Sequence, residues 1–417
     1  MAPKRKPDGG TAEEFADPEE DTKGSSADFA KPVYLVAERE DEQSSYSVFK
    51  VDADAVAGGA RTVAGMPGTK RGMSFVAAHS RHGSWIVGVG GGRGARTIIF
   101  DPSTLKTYHG SPLLSPKHEP VLISHRGGVY AISRCPKVVG RIDFDLWFEY
   151  LNFNKGIPSK ECGLRTYWDE LPPPPFFPSF LNPFEFRNPP EISVTSYVAM
   201  GCHILISPQQ ELTVGTYAFH VRKKTWEKVH DKNLPFIGQA VPLGGSLFAA
   251  CSVSNNGAPS VFNIKVSSST TVGATSTPSL TIQEFLVVAS EGRIPQPLLC
   301  SLGTGRFCSV RLGPFRRSRR NANLLKKIQV TFQTVNIEAI LTACQSNGAE
   351  AKDLRDAVQV KEQSHTYKFK GRSRLLESVT PVVAALSMTH KTLRYVTGKQ
   401  PRRVEAKLLR GLSSKHL

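Results

Sequence analysis

The stretch Gly88 to Gly94 is the first whose residue types and spacing could do chemistry. Gly90-x-Gly92-x-x-Ala95 meets a relaxed dinucleotide fingerprint directly after an apolar, strand-like run, Trp85 to Val89. Such a loop holds a pyrophosphate only when a helix follows, because the first amides of the helix meet the negative charge. Here Arg96-Thr97-Ile98-Ile99-Phe100-Asp101-Pro102 follows, which reads as a strand and a turn. A Gly-Lys-Ser/Thr phosphate loop is also missing from the sequence. The glycines therefore read as a strand-end turn facing a channel. Imidazoles at His118, His125, His203, His220 and His230 could hold a metal, but none forms an i, i+4 pair on a helix. Cys202 and His203 are adjacent, so in a strand they point to opposite faces. For nucleophilic catalysis there is no G-x-S-x-G elbow, and the surroundings of Cys162 and Cys308 match no cysteine-protease signature. Cys308, within Gly305-Arg306-Phe307-Cys308-Ser309-Val310, reads as a buried strand thiol. Asp143 with Asp145 and Asp169 with Glu170 read as turn or solvent-face pairs. No catalytic residue, metal or cofactor is expected.

The elements that would position such residues are short. Between about 31 and 312 the chain consists of β-branched and aromatic runs punctuated by Gly, Pro, Asn and Ser, with little 3.6-residue periodicity. Val33 to Val36, Ser47 to Val51, Thr97 to Phe100, Pro120 to Ile123, Gly128 to Ser133, Ile192 to Met200, Thr216 to Val221 and Ser260 to Val266 are examples of strand length. Aromatic-centred strands recur around Phe49, Phe100, Phe148, Phe219 and Phe262, at steps of 51, 48, 71 and 43. A second series, Tyr108, Trp168, Trp226 and Phe285, recurs at steps of 60, 58 and 59. A period of about 50 residues is that of a four-stranded kelch blade. A blade cannot bury both faces alone, so large side chains at equivalent positions must fill the space between neighbours.

Three segments carry this pattern: Trp85 to Tyr108, with Gly90-Gly91-Gly92 and Ile99-Phe100-Asp101-Pro102; Gly127 to Pro172, with Trp147-Phe148-Glu149; and Thr216 to Phe248, with Tyr217-Ala218-Phe219 and Trp226. In these residues the sequence resembles the kelch-like, galactose-oxidase-type β-propellers of plants, in particular a grass family related to the F-box-associated kelch proteins. The resemblance covers about 31 to 345 and implies an all-β, kelch-like β-propeller of six blades. Another antiparallel sandwich or barrel with chance aromatic spacing is the competing fold. The oxidase's tyrosine, histidine and thioether-linked cysteine ligands match no residues here, so the resemblance implies the fold and not that activity. In the resembling F-box proteins a helical F-box couples the propeller to a ubiquitin ligase, and residues 1–30 hold no Leu-Pro-led helical stretch.

Three regions are expected: a disordered tail over 1–30, the propeller over 31–372, and a basic extension over 373–417, disordered or forming short helices at Leu375 to Leu386 and Val404 to Leu412. The first carries eight carboxylates and few aliphatic side chains. Lys4-Arg5-Lys6 in it also fits a short nuclear-import signal. Ala339 to Cys344 continues a strand-like run after Ile328 to Val335. With 53 Lys and Arg against 36 Asp and Glu, the net charge is +17. This field attracts phosphate, anionic lipid or acidic protein surfaces without naming one. Seven cysteines without close C-x-x-C pairs, no secretory signal and no apolar run of membrane length point to a reducing, cytoplasmic or nuclear setting. The expected role is a non-catalytic protein-interaction module presenting loops of one propeller face, with Arg93, Arg96, His125, Arg126, Arg134, Phe176, Phe177, Phe180, Phe184 and Phe186 as candidate partner-binding residues. Alternatives are a ligase-type substrate receptor without its own F-box, and non-specific nucleic-acid or acidic-surface binding through the tail and the Arg316 to Arg320 cluster. The Pro-rich run from Leu171 to Pro190 reads as a loop on one face, packed back on the blade or offered to an aromatic groove.

Overall fold

The computed structural model describes residues 33–39, 46–51, 61–136, 146–161, 163, 167–177, 191–268, 278–288, 297–313, 324–325, 327–346, 358–368, 375–376 and 382–385. Its strands follow one another as antiparallel meanders, in which the side-chain alternation of each strand buries both faces against neighbouring sheets. The chain opens with β1 (Val33–Glu38), β2 (Tyr46–Val51) and β3 (Arg61–Met66). A second sheet runs β4 (Met73–Ser80), β5 (Gly83–Gly90), β6 (Arg96–Asp101) and β7 (Lys106–Pro112). A third runs β8 (Val121–His125), β9 (Gly128–Ile132), β10 (Phe148–Asn152) and β11 (Asp169–Glu170). The fourth comprises β12 (Val194–Met200), β13 (His203–Pro208), β14 (Thr216–His220) and β15 (Thr225–His230). The fifth comprises β16 (Phe236–Gly244), β17 (Leu247–Ser252), β18 (Pro259–Ser268) and β19 (Pro278–Val288). The last has β20 (Leu298–Gly303), β21 (Arg306–Gly313), the short β22 (Leu324–Leu325) beside it, β23 (Lys327–Val335), helix α1 (Ile337–Ser346) and β24 (Val358–Lys368). β25 (Leu375–Leu376) pairs β22, and β26 (Val382–Ala385) pairs β1 antiparallel, from Val33↔Ala385 to Val36↔Val382.

β26 makes the first sheet four-stranded with chain from the far end of the sequence. The innermost strands β26, β4, β8, β12, β16 and β20 then neighbour one another around a closed ring. Short parallel pairings tie adjacent sheets at Ser196↔Gly238 and Tyr197↔Gln239, and at Val287↔Val358 and Val288↔Gln359. The apolar core follows the same ring, with a cluster between each successive pair of sheets. One of these joins the first sheet to the last, Leu35, Phe49 and Val51 packing with Cys308, Val310 and Ile328. Meanders arranged radially and closed on themselves in this way make a β-propeller.

The aromatic repeat has a structural meaning. Phe49, Phe100, Phe148, Phe219 and Phe262 all lie on the third strand of their sheets, each at most 3% exposed. Each sits opposite a large apolar residue of the second strand: Leu35, Ile86, Ile132, Ile204 and Phe248 in turn. Tyr108, Trp226 and Phe285 belong to fourth strands, and Trp168 directly precedes one.

Two expectations are corrected. Ala339 to Cys344 is helical, not strand-like: the Asn336 side chain accepts the amide of Ala339 at 3.1 Å and starts α1. Ile337, Ile340 and Leu341 recur at helical spacing and pack on the core between the last two sheets. Within Leu375 to Leu386, where a helix was expected, Leu375–Leu376 is β25 on β22, and Val382–Ala385 is β26 on β1, whose edge supplies a backbone template that local periodicity does not reveal. Val382–Ala385, expected in the basic extension, forms part of the first sheet. The expected tail over 1–30, the remainder of the basic extension, Arg316 to Arg320, Phe180, Phe184 and Phe186 lie outside the described residues.

Candidate functional site

The six inner strands give the molecule two ends. The front face is where β4, β8, β12, β16 and β20 begin; the rear face is where they finish. Successive strands of a meander alternate direction, so the loop between the second and third strands opens on the front and the turn between the first and second opens on the rear. Contacts between sheets agree: Arg71, just before β4, meets Glu38 at the end of β1, and Glu119, just before β8, donates its amide to Gly72 O at 2.7 Å.

This alternation divides the candidate residues. Arg93 and Arg134 come from loops after second strands and Arg96 opens the third strand β6, all on the front, as do Phe176 and Phe177 in the connection from β11 to β12. His125 and Arg126 form the turn from β8 to β9 and lie on the rear. There both bond the same acceptor in the next sheet: His125 Nε2 lies 2.9 Å and Arg126 Nη1 3.0 Å from Gly201 O. Burial, followed by the Arg126 charge, holds His125 below the ordinary histidine range against the opposing effect of the Gly201 bond. Phe177 is 4% exposed and packs edge-on against Trp147 at 5.9 Å, so it is core and presents nothing to a partner. Phe176 is half-buried between Phe177 and Tyr217, and Trp226 Nε1 donates to Pro172 O at 2.7 Å. The described part of the Pro-rich run thus folds back onto the blade.

On the front, three loops are knitted into one platform. Gly91 N donates to Gly72 O at 2.9 Å, Gly92 N to Lys117 O at 3.0 Å, and Lys70 Nζ to Arg93 O at 3.3 Å. Gly90, Gly91, Gly92 and Gly94 all take positive φ, and a Cβ on Gly90 would lie 2.6 Å from Pro120 and 3.0 Å from Gly72 O. The glycine run is therefore a backbone device for close approach between the first three sheets, leading into a strand as the sequence implied. Lys70, Arg71, Arg93, Arg96 and Glu119 stand exposed on this platform. Arg134 donates from Nε to Glu119 O at 3.1 Å and extends the platform toward Tyr197 on inner strand β12. Burial raises the Tyr197 phenol above its ordinary value and the nearby Arg134 opposes the rise.

Beneath the platform lies a pair that no motif marks. Lys117 and Glu149 form an ion pair with side chains 1% and 0% exposed. Glu149 also accepts the amides of Leu114 at 2.7 Å and Ser115 at 3.2 Å, and Lys117 donates to Leu146 O at 2.5 Å. The only sequence signal is a carboxylate inside the otherwise apolar run Trp147 to Leu151.

The chain matches, over residues 30–365, the family described as "Protein of unknown function (DUF1668)". The chain belongs to this family. No curated protein matches it. Among solved structures, "Structure of YjhT" aligns at 12% identity with a TM-score of 0.35, covering 69% of this chain and 89% of that one.

Within this DUF1668 chain two buried thiols, Cys251 and Cys308, are held in their protonated form. Burial pushes Cys251 up to about 12. The Cys300 thiol, its register partner, and then burial raise Cys308 well above the ordinary range. Cys135 is exposed and Cys202 half-buried. No group of three or more His, Cys, Asp or Glu with metal-holding geometry occurs among the described residues, and no helix there is long and apolar enough to cross a membrane.

Glu38 makes the front rim sensitive to pH. Its side chain is 4% exposed and meets Arg71 Nε at 3.0 Å, while Arg71 is 68% exposed. Burial raises the carboxyl above the usual 4.5, Arg71 opposes the rise, and Glu119 adds to it. The folded protein therefore holds this proton more tightly than the unfolded chain. The resulting stability is present in acid and is lost as pH rises from 4.5 through the raised value. Urea midpoints of wild type and Glu38→Gln should diverge in that window, the variant gaining at most about 1.4 kcal/mol per pH unit. Parallel pH profiles for the two proteins would show that Glu38 titrates normally.

Proposed function

We propose that the protein is a non-catalytic interaction module that holds a protein partner on its front face, with the six sheets acting as six blades of one rigid scaffold. The observation that carries this reading is the platform formed by Gly72, Gly91, Gly92, Lys117 and Glu119 through backbone bonds. It fixes the backbone beneath Lys70, Arg71, Arg93 and Arg96, so ordering these side chains on binding costs less than it would on free loops. Arginine supplies planar, multidentate donors that suit carboxylate and carbonyl groups of a partner.

The test is affinity capture with the full chain, with the front-face variant Lys70→Ala/Arg71→Ala/Arg93→Ala/Arg96→Ala, and with a rear-face control, Lys223→Ala/Lys224→Ala. A protein retained stoichiometrically by wild type and control should lose at least about tenfold in affinity, or 1.4 kcal/mol, with the front-face variant. Equal retention by all three folded proteins would refute the front-face assignment.

A second reading is supported by the charge of +17. In it the chain binds nucleic acid or an acidic surface, with affinity falling steeply as salt rises. The plant and F-box relationship, and with it a receptor role in a ubiquitin ligase, rests on sequence resemblance. Ligase subunits among the captured proteins would support that role.

A further inference from the structure

Cys300 on inner strand β20 and Cys308 on β21 stand directly opposite one another in antiparallel register. Opposed residues of such a pair project from the same face of the sheet. That face meets the first sheet. Both cysteines belong to the cluster with Val33, Leu35, Phe49 and Val51 that closes the ring, whereas Leu299, one residue away, packs on the other side against the fifth sheet. The Cα atoms of directly opposed residues lie about 4.5–5.5 Å apart. Disulfides span about 4.4–6.8 Å between Cα atoms, so the backbone already holds these two residues at bonding separation and side-chain rotation can bring the sulfurs together. The thiols already meet in a hydrogen bond, the largest of the causes that keep Cys308 protonated.

Other described thiols are placed differently. Cys251 donates to Pro297 O at 3.3 Å, Cys135 donates to Ser193 Oγ at 3.5 Å, and Arg126 Nη1 lies 3.6 Å from Cys202 Sγ. Cys300 and Cys308 also differ in access, the first keeping 6% exposure and the second none. Since the thiolate is the form that reacts, the buried and protonated Cys308 is the slower of the two.

We propose that Cys300 and Cys308 are a reversible dithiol–disulfide pair, which hydrogen peroxide oxidises and which then staples β20 to β21 at the seam where the propeller closes. Cys300 reacts first: its sulfur takes one hydroxyl of the peroxide, the O–O bond breaks, and a sulfenic acid forms with release of one water. The Cys308 sulfur then displaces that hydroxyl, the S–S bond forms, and a second water leaves with the Cys308 proton. Two thiols are oxidised and one peroxide is reduced to two waters. A dithiol reverses the step by exchange. The staple sits beside the four-residue pairing of β26 with β1, where strands from opposite ends of the sequence meet. With it in place, β20 cannot part from β21 when the seam opens. The proposal is independent of the front-face reading.

The test uses the folded, full-length wild type, at a hydrogen peroxide dose that consumes the exposed Cys135. Remaining thiols are alkylated and the protein is digested with trypsin. Cleavage after Arg293, Arg306 and Arg311 leaves the two cysteines on separate peptides, 294–306 and 307–311. These peptides should be recovered joined, and apart again after dithiothreitol. Alkylated Cys300 and Cys308 beside an oxidised Cys135, irreversible over-oxidation of either, or joining of either to another cysteine would each overturn the proposal. Cys300→Ala should slow oxidation of Cys308 by at least about tenfold, and Cys308→Ala should leave a sulfenic acid on Cys300 that dimedone labels. Equally fast oxidation of Cys308 in C300A and wild type would overturn the assigned order. Amide exchange over 298–303 and 306–313 should slow at least about tenfold on oxidation and recover on reduction. Exchange unchanged in the disulfide form would overturn the staple.

Discussion

Replacing Lys117 by alanine is expected to cost about 3–5 kcal/mol of folding stability, because it strands a buried carboxylate. Glu149 is fully buried and would keep only the amides of Leu114 and Ser115 as donors. Truncating Glu149 instead strands the ammonium, which retains carbonyl acceptors at Leu146 and Ser115 and no counter-charge within the pair. Lys117→Met combined with Glu149→Gln should recover most of the loss, since a neutral side-chain oxygen can still accept one of the two amides and no charge remains buried. Urea unfolding measures all three. A Lys117→Ala midpoint within about 1 kcal/mol of wild type would show that the pair is solvated in solution. The loss should also loosen 113–120, one of the three strips of the front platform, so this variant should weaken partner binding more than its exposed neighbours predict.

Phe219→Ala should be comparably severe, at about 3–5 kcal/mol, because a fully buried ring is removed from a site with little freedom to collapse. Phe219 lies 4.9 Å from Phe148, 5.0 Å from Trp226 and 6.4 Å from Tyr130, ring to ring. These rings belong to two successive sheets, and Ile204 and Ile206 pack in the same cluster. The cavity would therefore open between blades, where each sheet is held by its neighbour and not by its own hydrogen bonds. Phe219→Leu should retain a substantial part of the stability. A loss below about 1 kcal/mol for the alanine variant would contradict the packing described here.

Much of this architecture was legible because third and fourth strands carry large aromatic residues. Phe49 to Phe262 mark one ring of equivalent positions, and Tyr108 to Phe285 mark the next. Several inner strands were harder to read. β4, Met-Ser-Phe-Val-Ala-Ala-His-Ser, and β16, Phe-Ile-Gly-Gln-Ala-Val-Pro-Leu-Gly, mix small and polar residues. They border a crowded axis and lack the β-branched and aromatic enrichment that signals a strand. β26 was misread for a different reason. Its partner β1 lies some 350 residues away in sequence, and a strand fixed by that pairing leaves no local signature. How the candidate residues divide between the two faces was not legible in the sequence. Arg93, Arg96 and Arg134 share the front face, whereas His125 and Arg126 are on the rear, because strand direction decides the end at which a turn emerges. Lys117 and Glu149 escaped notice because charged residues read as solvent-facing until their burial is seen.

The central claim is that a partner sits on the front platform. Hydrogen–deuterium exchange of the full chain, alone and saturated with the protein it captures, tests this most directly. The account predicts new protection at 67–72, 91–95 and 113–120, with the rear turns at 81–82, 125–127 and 201–203 unchanged. Protection confined to those rear turns, or no change at the front loops in a saturated complex, would contradict it.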